Sequence, residues 1–130
     1  MEPVITTIAA AVALGAAAGL KDTASKAVTD AYTGLKKLIQ DRYNKNADVT
    51  DALDYLVKKP EAEGRQQELA KALQEAGADQ EPELIHAAEA VLAEVEKQPG
   101  GEEAVSHIIN QLIIGDGNIV AGVGDVNIKI

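Results

Sequence analysis

Seventeen consecutive residues, Val4–Leu20, carry no charge. A run like this has to leave water, either inside a protein core or inside a lipid bilayer. As a helix it is about 25 Å long, the lower edge of what crosses a bilayer. Both destinations are open from the sequence: an Ala-rich helix buried in a bundle, or a helix able to enter lipid. A secretory signal would begin with basic residues and end in a cleavage site. Here the one side-chain charge before the run is Glu2, and Ala and Gly outnumber the large aliphatics. The run therefore reads as neither a signal nor a permanent anchor. Pro3 suits the first turn of a helix, where a missing N–H is harmless. Gly15 and Gly19, with Ala11 on the same face, form a small-xxx-small pattern that lets helices approach closely in lipid. The candidate membrane-inserting residues are Val4, Ile5, Ile8, Val12, Leu14, Gly15, Gly19 and Leu20.

Charge is unevenly spread along the chain. Residues 1–60 hold eight Lys/Arg against seven Asp/Glu, whereas residues 61–111 hold three against twelve. The acidic half excludes nucleic acid as a partner, because no basic face is present to neutralise phosphates. Lys21, Lys26, Lys36, Lys37, Arg42 and Lys45 directly follow the uncharged run. Of these, Lys21, Lys26, Lys36 and Lys37 are the candidates for holding anionic lipid headgroups.

Apolar residues continue at helical spacing beyond Leu20, through Ala24, Ala27, Val28, Ala31, Leu35, Leu38, Ile39 and Tyr43. This predicts an amphipathic helix of about six turns ending near Asn44–Asn46. A shorter helix starts at a cap-like Asp48 and ends at Pro60. Two more are expected over Glu61–Ala76, stopped by Gly77, and over Glu81–Lys97. Short connections imply an antiparallel four- or five-helix bundle over residues 1–97. With 23 alanines, three tyrosines and no Phe, Trp or Cys, its core is thin. Absence of cysteine also fits a cytoplasmic setting.

Composition changes at Gln98-Pro99-Gly100-Gly101, which reads as a linker over 98–103. Residues Val105–Leu112 are ambiguous between helix and strand. From Ile113 onward, Gly and β-branched residues dominate. The tail repeats itself: Leu112–Val120 aligns with Ala121–Lys129, with Gly115/Gly124, Asp116/Asp125, Asn118/Asn127 and Ile119/Ile128 coinciding at a period of nine. A C-terminal hairpin packed on the bundle is one reading. However, two glycine-bearing strands are marginal alone, and their edges lack proline. Stacking of copies in register would instead align Asn118 and Asn127 as amide ladders. It would also bury Ile113, Ile114, Ile119, Val120, Val123, Val126 and Ile128 in a dry interior, with Gly115 and Gly124 at the corners. Residues 104–130 are therefore expected to be a self-assembling β segment. The two units are too few, and their glycines misplaced, for a calcium-binding nonapeptide roll.

The chemical inventory is poor. His86 and His107 stand alone without metal-ligand spacing, and Ser106 and His107 do not face each other on a helix. Gly115-x-Gly117 is not followed by a helix and a lysine, so it is no phosphate loop. The chain reads as a non-enzyme, with no cofactor and no metal.

The tail residues Leu112-Ile113-Ile114-Gly115-Asp116-Gly117-Asn118 and Val123-Gly124-Asp125-Val126-Asn127 resemble the RIP homotypic interaction motif and its bacterial amyloid-signalling relatives. That motif carries Gln where Ile113 and Gly122 stand. Residues 1–97, through the Gly/Ala-rich first helix and its pairing with this tail, resemble the bacterial Bell domain, a relative of the fungal HeLo domains. The resemblance implies an all-α bundle with a C-terminal β-forming amyloid tail, acting in programmed cell death. It implies a nucleotide-binding immune receptor with a matching motif that templates the tail. The bundle, cytoplasmic at rest, would then release its first helix into an anionic plasma membrane. The rival expectation is a non-lytic adaptor that uses bundle and tail as protein-interaction modules.

Overall fold

The computed structural model describes residues 3–19 and 25–115. Among them the chain forms six α-helices and one short 3-10 turn, with no strand. The helices are α1 (Pro3–Gly19), α2 (Lys26–Arg42), α3 (Ala47–Lys58), α4 (Glu63–Glu75), α5 (Pro82–Glu96) and α6 (Gly101–Gly115), and the turn spans Ala78–Gln80 between α4 and α5. The all-α expectation stands. There is one helix more than expected, because residues 101–115 are helical.

Each boundary has a local cause. Ser25 opens α2, its hydroxyl accepting from the Val28 N–H at 3.5 Å. Asn46 opens α3 with its Oδ1 on the Val49 N–H at 3.2 Å, so the cap is Asn46 and Asp48 lies in the first turn. A cap of this kind contributes about 1 kcal/mol. Gly77 ends α4 with φ of 78°, a left-handed conformation that strains any side-chain-bearing residue. Pro82 begins α5, where its fixed φ is already helical.

The second helix is shorter than the sequence pattern suggested, since it starts at Lys26. Leu20 and Lys21 lie outside the described residues. The break after α5 is also short: Gln98, Pro99 and Gly100 make the turn, and Gly101 already belongs to α6. Gly100 takes φ of 75°. At Gly101 a Cβ would lie 2.7 Å from the Val95 carbonyl carbon, so glycine is what lets α6 start this close to α5.

Topology is set by α1, which packs against all five other helices. Those five touch one another in the order α2, α5, α6, α4, α3, an arc of helices packed around it. The reason is composition. Ile8, Ala9, Ala10, Ala11, Val12 and Ala13 are consecutive and all buried, so α1 has no polar face to turn outward. Amphipathic helices supply the wall: Leu35 and Ile39 from α2, Leu53 and Leu56 from α3, Leu69 and Leu73 from α4, Leu84 and Val91 from α5. From α6 come Val105, Ile108 and Leu112, spaced three and four apart. That spacing resolves the ambiguous stretch Val105–Leu112 as helix. Ile113, Ile114 and Gly115, expected in a β core, are the last residues of this helix. The remaining expected core residues, Asn118, Ile119, Val120, Val123, Gly124, Val126, Asn127 and Ile128, lie outside the described residues.

Candidate functional site

The candidate inserting residues do not make one outward apolar face. Ile5, Ile8, Val12 and Gly15 are buried, Val4 and Leu14 are half-buried, and Gly19 is exposed. Burying Ile5, Ile8 and Val12 stabilises the bundle by on the order of 6 kcal/mol. The helix is thus a docked core element in this structure. No helix among the described residues is long and apolar enough to cross a membrane.

The glycine pair separates into two roles. A Cβ on Gly15 would come within 2.6–2.8 Å of the Tyr32 side chain, so Gly15 is the notch that seats Tyr32 of α2 against α1. A Cβ on Gly19 would meet nothing within 4 Å among the described residues. The close approach read from the small-xxx-small pattern is therefore made within the fold, and by Gly15 alone. Tyr32 carries its hydroxyl into the interior, where it finds no partner among the described residues. Burial pushes its pKa above the ordinary tyrosine value. Thr6 of α1 likewise buries a hydroxyl without a partner there. Two unpaired hydroxyls at the central helix are a standing penalty of about 1–3 kcal/mol each.

The candidate headgroup lysines are dispersed. Lys21 lies outside the described residues. Lys26 is exposed and pairs with Asp30 at 2.8 Å, which raises its pKa through that hydrogen bond. Lys37 is exposed and Lys36 half-buried. Lys26 and Lys37 fall on the same side of α2, with Lys36 turned by roughly 100° from Lys37.

Four arrangements were not visible in the sequence, because each joins residues from different helices. Arg42 at the end of α2 pairs with Glu81, and with Glu83 at 3.3 Å, pinning α2 to the start of α5. The Arg65 guanidinium stacks on the Tyr55 ring at 3.8 Å and donates to the Tyr55 carbonyl at 2.9 Å, tying α4 to α3. Beside this pair a groove of about 580 Å³ is lined by Asp48, Asp51, Tyr55, Glu68, Lys71 and Glu75. A second cleft, about 360 Å³, opens between Leu14 and Ala18 of α1, Val28 of α2 and Val95 to Ala104. His86 and His107 are both exposed. Among the described residues no cluster of His, Asp and Glu is placed to hold a metal ion.

A charge-free helix held at the centre of five amphipathic ones defines an all-helical bundle whose least water-soluble segment is stored inside. Residues 1–128 match the family model HetE-N, the Het-E N-terminal domain, and the chain belongs to that family, a HeLo-related cell-death family. The match takes in α6 and continues to residue 128, so one family covers both the helices and the repeat-bearing stretch. No curated protein and no solved structure matches the chain.

Proposed function

We propose that this chain is a latent, pore-forming cell-death effector. In this reading the coat of five helices keeps α1 from lipid, and assembly of residues 104–130 removes part of that coat. One observation carries the reading: the first repeat unit begins at Leu112, a residue 1% exposed whose side chain anchors the end of α6. The same side chain cannot pack on the bundle and stack in a β assembly. Recruitment of 112–120 into a strand would withdraw Leu112 and unwind the last turn of α6, which touches α1, α4 and α5. Ile113, already 49% exposed at that end, is open to a first contact.

The template would be a second copy or a nucleotide-binding receptor bearing a matching motif. The effector would rest in the cytoplasm and act at the anionic plasma membrane, without catalysis, cofactor or nucleic acid. Concentration of chains along an assembly raises the local density of α1 and favours insertion through avidity. The non-lytic adaptor is the second reading, and the burial of α1 together with its modest length favours it.

Seeding the full chain with fibrils of residues 104–130, in the presence of dye-filled anionic vesicles, decides between them. The effector releases dye on seeding; the adaptor forms fibrils and releases none. Asn118→Asp with Asn127→Asp should block assembly by stacking like charges, and should leave the helices folded. A chain that never assembles, even when seeded, removes the switch altogether.

A further inference from the structure

The coat around α1 is electrically lopsided. Within their bounds α3, α4, α5 and α6 carry net charges of −2, −1, −4 and −2, whereas α2 carries +2. The helices α5 and α6 pack side by side, so a combined −6, or −5 with Lys97 just past α5, lies on two adjacent helices. Their carboxylates stand in water: Glu89 and Glu96 on α5, and Glu102 and Glu103 on α6, are all exposed. Two cations pair with carboxylates on or beside α5. Lys97 pairs with Glu94 at 3.2 Å, and Arg42 pairs with Glu81 and Glu83.

An anionic leaflet projects a negative potential over about one Debye length, roughly 8–10 Å. A folded bundle brought to such a surface through α5 and α6 is repelled. Approach through α2 presents a net charge of +2, in which Lys36 and Lys37 pair with no carboxylate among the described residues, and is opposed by the negative charge of the other four coat helices. With α1 buried, no large apolar surface on that helix offsets the repulsion.

We propose that the carboxylates of α5 and α6 act as an electrostatic brake that keeps the resting bundle off anionic membranes. The inference rests on the membrane reading above, and it accounts for latency separately from the burial of α1. Concealing α1 removes the apolar attraction, while the acidic side adds a barrier of longer range.

The test uses the full, unseeded chain sedimented with phosphatidylcholine vesicles of increasing phosphatidylserine content. The bound fraction should stay at or below its value on pure phosphatidylcholine as phosphatidylserine rises; binding that grows with it overturns the brake. The variant Glu89→Gln, Glu96→Gln, Glu102→Gln, Glu103→Gln should bind anionic vesicles about tenfold better at low salt. That gain should vanish at high salt, where surface charges are screened. No gain, or a gain that survives high salt with an unchanged thermal melt, counts against the proposal. The vesicle series needs no variant, so it stands even if the quadruple substitution fails to fold. Seeded leakage on the same vesicles separates the two ideas. If neither chain leaks on seeding but resting binding follows charge as stated, the pore reading falls and the brake remains.

Discussion

The first and last helices are both rich in apolar residues, yet the fold treats them differently. α1 is enclosed on every side along Ile8–Ala13, whereas α6 lies in the outer layer and ends with Ile113 half in water. Removing α1 dismantles the core of all five neighbours. Removing the end of α6 uncovers one buried leucine. The contrast teaches which end of the bundle yields more readily: the segment with least buried surface to lose is the one that can change shape first. It also places the stored apolar helix in direct contact with the helix in which the tail repeat begins, since α6 touches α1.

Substitutions can break this contrast. The largest expected effect is at the centre. Ile8→Ala should cost about 4 kcal/mol in urea unfolding, while Leu112→Ala should cost about 2 kcal/mol because the helix end can relax. Equal losses would mean that α6 is as firmly held as α1. Gly101→Ala tests how α6 is joined, because its Cβ would press on the Val95 backbone. A loss of about 3 kcal/mol is expected, with α6 amides losing hydrogen-exchange protection first.

Within α1 the two glycines should diverge. Gly15→Ala forces Tyr32 aside and should cost about 2 kcal/mol, whereas Gly19→Ala, at the exposed helix end, should change stability by less than about 0.5 kcal/mol. Matching losses would show that both glycines are packing sites. A leakage experiment on the glycine pattern therefore has to use Gly19 alone.

The smallest effect concerns Tyr32. Its hydroxyl is buried without a partner among the described residues, so Tyr32→Phe should be neutral or stabilise by up to about 1 kcal/mol. Burial raises the folded-state pKa above the ordinary value of 10.0. The folded chain then holds its phenolic proton more tightly than the unfolded chain. Stability is accordingly unaffected below that ordinary value and falls as pH climbs from it through the folded-state value. Tyr43 is raised by burial too, so Tyr32→Phe should remove only part of the alkaline drop in Tm.

Much of the helical layout was legible because its causes are local. Gly77 stops α4 and Pro82 starts α5 through backbone conformation alone. Leu53 and Leu56, or Val91 and Val95, mark inner faces by spacing. The start of α3 was misplaced by two residues, since Asn46 and Asp48 are equally good caps and only the N–H it reaches distinguishes the Asn. The stretch 101–115 was harder. Its glycines and β-branched residues weaken the helix on propensity, and what makes it helical is the burial of Val105, Ile108 and Leu112 against partners far away in sequence. The candidate site was legible as an uncharged run, but not as a central one. The dispersed lysines and the Arg42 pairing also depend on which helices become neighbours.

By itself the sequence determined that Val4–Leu20 must escape water, that amphipathic helices follow it, and that the acidic charge falls in the second half. Only the tertiary structure decided that, for Ile5–Ala16, the escape is into protein. Five half-apolar faces need a partner without a polar side, and α1 alone meets that need. Periodicity records which face of a helix is apolar but never what will cover it, and the covering is what turns a lipid-compatible segment into a core.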